Sequence, residues 1–151
     1  MNDWTSWERL GHHRHLAGHD VFTIDMPARG QERREPLLVL HGFPTSSFDF
    51  HLVVDSLAEN RRVLLMDMVG YGLSSKPDQA YSMDFQADVV MAYTSELGID
   101  RLALLTHDMG DTVGGELLAR QLEGRWPVQV TGRLVTNGSI YIRMAQLSVG
   151  Q

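Results

Sequence analysis

The sequence predicts an α/β fold, in which a mostly parallel β-sheet carries helices on its faces. Short apolar runs lie at 36–40, 62–66 and 102–105, and each leads, directly or through a turn, into a segment with apolar residues at helical spacing. Runs of this kind are typical of strands that are buried on both faces. Strands that alternate with helices form right-handed βαβ units, so we expect most of the strands to be parallel.

The composition is that of one soluble globular domain, since 43% of the 151 residues are hydrophobic and 21% are charged. A net charge of −6 disfavours a nucleic-acid partner, because no basic stripe is present to contact phosphates. The absence of cysteine excludes disulfides and thiolate metal sites. No apolar run approaches the roughly 20 residues of a membrane span, and residues 1–8 do not resemble a signal peptide. We therefore expect a cytoplasmic protein without membrane contact, metal or cofactor.

The N-terminal region predicts a short amphipathic lead-in at 4–10 and then a hairpin, with strands at 14–17 and 20–25 around a turn at Gly18. A metal site is the alternative for its histidines, since imidazole is a common ligand. No partners recur at a ligand spacing, however, and alternation along the first strand turns two of the histidines to solvent, which favours an exposed hairpin. The histidines of this region are His12, His13, His15 and His19.

After the strand at 36–40, hydroxyl residues at 45–47 predict the start of a helix that continues to about Ala58. The strand at 62–66 follows, and a long turn separates it from the next helix. The buried stripe of the helix at 45–58 is expected to comprise Phe48, Leu52, Val53 and Leu57.

The second half of the chain continues the alternation. Ser82 is suited to cap a helix over 83–97, and the strand at 102–105 leads into a helix that ends near Leu122. One more strand then runs to Thr136. The buried stripe of the helix over 83–97 is expected to comprise Phe85, Val89, Tyr93 and Leu97.

Polar or glycine-rich segments follow the carboxyl end of each predicted parallel strand. In α/β sheets, sites lie outside this edge. We therefore expect these segments to meet at one place: 41–43, 67–74, Asp108 and 137–138.

Asp108 has the sequence context of a nucleophile elbow. Thr106 and Gly110 flank it at two residues on each side, after a buried strand and before a helix, which is the spacing of a small residue, any residue, the nucleophile, any residue and a small residue. The alternative is that Asp108 only caps the helix, because Asp is a favoured N-cap residue. The loop after the strand at 36–40 favours the nucleophile, because an oxyanion-binding loop belongs there.

An aspartate nucleophile attacks a saturated carbon that bears a leaving group, or a strained ring carbon, and forms an alkyl-enzyme ester. Water then attacks the ester carbonyl, and the resulting oxyanion requires two N–H donors. We expect the backbone N–H groups of Met109 and Phe43 to supply them.

Three motifs together resemble the α/β-hydrolase family, and within it the branch of epoxide hydrolases and haloalkane dehalogenases, which use an aspartate at the elbow. They are His41-Gly42-Phe43-Pro44, Asp67-x-x-Gly70-x-Gly72-x-Ser74 and His107-Asp108-Met109-Gly110. The resemblance implies that Asp108 is the nucleophile, that the amides of Phe43 and Met109 form the oxyanion hole, and that the substrate is a small molecule. It leaves the substrate class open, since both enzyme groups usually have tryptophan where Met109 stands.

The resemblance also implies that residues 1–151 are the N-terminal part of one α/β-hydrolase domain. The family fold continues with a helical cap, further strands, an acid and a histidine base, whereas no histidine follows Asp108 in this sequence. We therefore expect an incomplete α/β-hydrolase core that does not catalyse repeated turnovers of a substrate. The alternative is a short, non-catalytic derivative that acts as an interaction module and self-associates through an open sheet edge.

Overall fold

The structure is a computed structural model that describes residues 3–138, and within these residues the strands form one six-stranded sheet. The strands are β1 (His12–Leu16), β2 (His19–Met26), β3 (Leu37–Leu40), β4 (Val63–Met66), β5 (Arg101–His107) and β6 (Gln129–Thr136). They lie in the sheet in the order β1-β2-β4-β3-β5-β6. The helices are α1 (Trp4–Glu8), a 3-10 helix at Ser47–Phe50, α2 (Val54–Leu57), α3 (Met83–Glu96) and α4 (Met109–Leu122).

The predicted fold class is confirmed, because β4, β3, β5 and β6 are parallel, whereas the hairpin strands β1 and β2 join the sheet in antiparallel orientation. Leu40 of β3 is paired with Thr106 of β5, and His107 of β5 with Thr136 of β6. This register brings the carboxyl ends of three parallel strands to one edge of the sheet, as the sequence predicts.

Each face of the sheet has its own apolar layer. The helices α3 and α4 cover one face, where β3 contributes Leu38 and Leu40. The other face is covered by α1, the 3-10 helix and α2, and β3 contributes Leu37 and Val39 to it. All four residues of β3 are therefore buried, which explains the continuous apolar run.

A buried arginine, Arg120, joins α4 to α3. It donates hydrogen bonds to the Asp88 carboxylate at 2.5 Å and to the Asp84 carbonyl at 3.0 Å.

The prediction of a single helix over 45–58 is wrong. The Phe48 carbonyl accepts the His51 N–H at 3.0 Å and lies 2.8 Å from His51 Nδ1, so it does not continue an α-helical hydrogen-bond ladder to residue 52. The segment instead forms the 3-10 helix and, separately, the single turn α2. Two members of the expected stripe are exposed as a result: Leu52 and Val53.

The hairpin forms as predicted, with His13 and His15 exposed on one face of β1. Among residues 3–138, no group of three or more His, Asp or Glu side chains is arranged to hold a metal ion. Within the same residues, no helix combines the length and the hydropathy that a membrane crossing requires.

The strand β6 forms one edge of the described sheet and pairs only with β5 there. Its Leu134 is 58% exposed, and a groove of about 410 Å³ runs beside it over Ala103 and Leu105 of β5. Leu57 of α2 lines the same groove, as do the polar side chains of Arg34 and Arg61, so α2 covers this half of the sheet only in part.

Candidate active site

Asp108 lies at the sharp corner between β5 and α4. Its backbone has φ 50° and ψ −115°, a left-handed conformation that costs a residue other than glycine of the order of 1–3 kcal/mol. The corner is held on both sides, since the Asp108 N–H donates to the Thr136 carbonyl at 3.2 Å and the Asp108 carbonyl accepts the Asp111 N–H at 2.9 Å. Surrounding structure thus fixes the strained residue.

Two glycines allow the loop after β3 to approach this corner. A Cβ on Gly42 would lie 2.6 Å from the Asp108 Cβ, and a Cβ on Gly110 would lie 2.6 Å from the Leu40 carbonyl oxygen. Both distances are far below van der Waals contact. The sequence therefore needs glycine at both positions to bring β3, its following loop and α4 together.

The Asp108 carboxylate is held by one of its two oxygens. The Phe43 N–H donates to Oδ1 at 2.8 Å, and the Met109 N–H donates to the same atom at 2.6 Å. No hydrogen bond from residues 3–138 reaches Oδ2. Asp108 is only partly buried, so the corner presents one anchored and one unengaged carboxylate oxygen.

His41 holds the loop after β3 in place. Its side chain is fully buried, with Nδ1 2.8 Å from the Gly42 carbonyl and Nε2 accepting the Met68 N–H at 2.9 Å. These contacts assign the neutral tautomer with the proton on Nδ1. Burial lowers the pKa of the His41 imidazole below its ordinary value, although the carboxylates of Asp67 and Asp49 oppose the shift. His41 thus joins the loop after β3 to the loop after β4.

Asp67 organises the loop after β4. Its buried carboxylate accepts the Ser47 N–H and the Leu73 N–H, each at 2.8 Å. Its carbonyl accepts the Ser74 hydroxyl at 2.6 Å, and that hydroxyl accepts the Phe22 N–H at 2.9 Å. The Asp67 motif therefore shapes the site by joining loops.

Aromatic side chains border the carboxylate. The Phe43 ring, on the residue that donates to Oδ1, is 53% exposed. The Tyr71 ring packs edge-on against it at 6.1 Å and against His41 at 5.8 Å, measured between ring centroids. The loop that donates to Oδ1 is therefore flanked by aromatic rings.

Sequence reasoning missed the contribution of β6 to the corner. The Thr136 carbonyl accepts the Asp108 N–H and lies 3.1 Å from His107 Nδ1, and the Thr136 hydroxyl donates to the Thr106 carbonyl at 2.9 Å. Arg133 and Asp111 also meet there. A charged residue within a β-strand, beside a helix that contains Gly114, is the one sequence signal that could have indicated this contact.

The lowered pKa of His41 predicts that acid destabilises the fold. Below about pH 6.5 an unfolded His41 takes up a proton while the folded one stays neutral, so the unfolded state binds more protons. The free energy of unfolding should fall by up to about 1.4 kcal/mol per pH unit in this window. Urea unfolding between pH 7.5 and 5 would measure it. His41→Gln should flatten the dependence and the exposed control His13→Gln should not; an equal slope in all three proteins would contradict the assignment.

Comparison with known proteins gives the family. Residues 35–125 match the family model described as alpha/beta hydrolase fold. LipZ of Mycobacterium tuberculosis, named as a hydrolase, is 41% identical over 112 residues, which are 74% of this chain and 38% of that protein. A soluble epoxide hydrolase of Corynebacterium sp. is 36% identical over 78 residues, or 52% of this chain and 27% of the enzyme.

Solved structures agree with the sequence comparison. The crystal structure of the haloalkane dehalogenase DatA from Agrobacterium tumefaciens C58 has a TM-score of 0.72 and 26% identity, over 85% of this chain and 40% of that one. The chain thus spans about 40% or less of the length of these proteins. Because the family model matches more than half of its residues, the chain belongs to the α/β-hydrolase family, with haloalkane dehalogenases and epoxide hydrolases among its relatives.

Proposed function

We propose that Asp108 is the nucleophile of a hydrolase that acts on an epoxide or a carbon–halogen bond through an alkyl-enzyme ester. The observation that carries this proposal is the convergence of the Phe43 and Met109 N–H groups on Oδ1, which leaves Oδ2 unengaged. A residue that only capped α4 would need one N–H partner from the helix itself. The second donor comes from a loop 65 residues away in sequence.

In the first step, a lone pair on Oδ2 attacks the saturated carbon while the bond from that carbon to the leaving group breaks. The electron pair of that bond leaves with the halide, or with the epoxide oxygen as an alkoxide, which then takes up a proton from water. Oδ1 becomes the carbonyl oxygen of the new ester and keeps its two N–H donors. The neutral ester binds them less strongly than the carboxylate did, because charge-assisted hydrogen bonds are stronger.

In the second step, water attacks the ester carbonyl carbon and Oδ1 becomes an oxyanion. The Phe43 and Met109 N–H groups then stabilise the developing charge, and each such donor is worth about 3 kcal/mol in comparable sites. A general base must accept a proton from the water. Of the two histidines beside the corner in residues 3–138, His41 has partners at both ring nitrogens, and His107 directs Nδ1 to the Thr136 carbonyl. We therefore propose that the ester accumulates in this chain.

Mass spectrometry of the intact chain and of its peptides would test the nucleophile. Incubation with styrene oxide or with 1-bromohexane should give one adduct per chain, located on the peptide that contains Asp108. Asp108→Asn keeps the size of the side chain and an oxygen for the two N–H donors, and it should lower the labelling rate by about 1,000-fold or more.

The matched control is Asp78→Asn, because Asp78 is an exposed carboxylate in the segment before α3. It should label at the rate of the unsubstituted chain. Labelling that is spread over several carboxylates, or that survives in Asp108→Asn, would refute Asp108 as the nucleophile.

A second candidate function is an interaction module that self-associates through β6, and the exposed Leu134 and Val135 on this strand favour it. Unpaired strand edges with exposed apolar residues pair readily with another chain. Sedimentation velocity of the chain should then show a dimer or larger species, which Leu134→Lys should shift toward the monomer. Leu122→Lys, an equally drastic change at an exposed leucine on α4, should leave the distribution unchanged. A monomer at every concentration tested would rule this candidate out.

A further inference from the structure

Asp111 is a buried charge that the proposed chemistry does not use. It lies in the first turn of α4, three residues after Asp108, and its side chain is 1% exposed. Within residues 3–138, neither of its carboxylate oxygens accepts a hydrogen bond. A buried carboxylate is costly unless a counter-charge is near. The position of Asp111 in the first turn of α4 does not explain its burial. The helix dipole favours an acid there without requiring that it be buried.

The counter-charge in the described structure is Arg133 of β6. Its Nη2 lies 3.8 Å from Asp111 Oδ1 and donates to the Asp111 backbone carbonyl at 2.6 Å. Its Nε donates to the Thr106 hydroxyl at 3.3 Å. Thr106 precedes the corner residue by two positions and Asp111 follows it by three. One guanidinium group therefore contacts the chain on both sides of Asp108.

Gly114 allows α4 to approach the Arg133 guanidinium closely. A Cβ on Gly114 would lie 3.2 Å from Arg133 Nη2 and 2.9 Å from the Thr106 methyl carbon. A larger residue at this position would push the helix away from β5 and β6. Gly114 thus has a specific neighbour, whereas a Cβ on the adjacent Gly115 would meet no atom of the described residues within 4 Å.

We propose that the pair Asp111–Arg133 positions the nucleophile, by fixing the first turn of α4 against the end of β5. This inference rests on the proposed function, because it assigns the pair a role in the reaction of Asp108. The first turn of α4 contains two N–H groups that contact Asp108. The Met109 N–H donates to Oδ1, and the Asp111 N–H donates to the Asp108 carbonyl. A planar guanidinium donates in two directions at once, which a lysine ammonium on a flexible stem does not reproduce.

Removal of the arginine leaves the Asp111 carboxylate buried without its counter-charge. The carboxylate then moves toward water and takes the first turn of α4 with it. The distance from the Met109 N–H to Oδ1 changes as a consequence. We expect binding of an apolar reagent at Phe43 and Tyr71 to be unaffected, because these rings pack against each other, His41 and Tyr81. The defect therefore lies in the rate of the bond-forming step.

Two measurements on the same proteins test the proposal. The first is the amide proton chemical shift of Phe43 and of Met109, which reports their hydrogen bonds to Asp108 and needs no reaction. The second is the labelling of Asp108 by 1-bromohexane, separated into the maximal rate constant and the half-saturating concentration. The proteins are the unsubstituted chain, Arg133→Lys, Arg133→Gln, Arg133→Gln with Asp111→Asn, and Arg125→Gln, which changes an exposed arginine beyond the far end of α4.

Arg133→Gln should move the Met109 amide proton upfield and lower the maximal labelling rate by about tenfold or more, with the half-saturating concentration changed by less than about twofold. The double variant should recover only part of both losses, because no stranded charge remains but the bonds from Arg133 to Thr106 and to the Asp111 carbonyl are still missing. Arg133→Lys, which keeps the charge and is expected to fold, should show a smaller loss. Arg125→Gln should match the unsubstituted chain.

The proposal is overturned if Arg133→Gln keeps the shifts and rates of the unsubstituted chain. It is also overturned if the double variant recovers both completely, or is as impaired as Arg133→Gln. A change confined to the half-saturating concentration would also overturn it. If the unsubstituted chain is not labelled at Asp108, the proposed function fails, and the amide shifts alone decide whether the pair fixes the corner.

Discussion

The site depends on the contact between the loop after β3 and the corner at Asp108. The hydrogen bond from the Phe43 N–H to Oδ1 is made across this contact, and it exists only because Gly42 and Gly110 have no side chains there. His41 fixes the loop from beneath through the Met68 N–H. The sheet register, which aligns Leu40 with Thr106, places the two strand ends at the same height. Each of these features serves to hold two N–H groups on one carboxylate oxygen.

The corner is strained, and the strain is balanced by β6. Asp108 adopts a positive φ, and the neighbouring strand compensates through the Thr136 carbonyl and the Arg133 guanidinium. A strained residue persists only where its surroundings determine it from several sides. The same strand has an exposed outer edge at Leu134. The strand that supports the Asp108 corner is therefore also the strand with the least cover in residues 3–138.

Much of the fold could be predicted from the sequence, and the reasons are local. The apolar run at 36–40 is buried on both faces, and the capped helix over 83–97 appears as α3 within one residue, because strand burial and helix capping act over a few neighbouring residues. The prediction of one helix over 45–58 was wrong because the His51 ring and the His51 backbone N–H both contact the Phe48 carbonyl. That competition depends on a side-chain conformation which periodicity does not report.

The candidate site was predictable to a similar degree. The elbow spacing and the strand ends predicted the neighbourhood of Asp108 and Phe43, because topology alone brings them together. The pairing of Asp111 with Arg133 was not predictable, since Asp111 has the sequence position of an ordinary first-turn acid. Its burial depends on how closely α4 approaches β6 at Gly114, which is a property of the packed structure.

Release of bromide from 1-bromohexane, followed with an ion-selective electrode, tests the central claim most directly. If Oδ2 of Asp108 forms an ester, the chain should release one equivalent of bromide per molecule in a first-order burst, and Asp108→Asn should release none above the rate in buffer. Equal release by the unsubstituted chain and by Asp108→Asn would contradict the account.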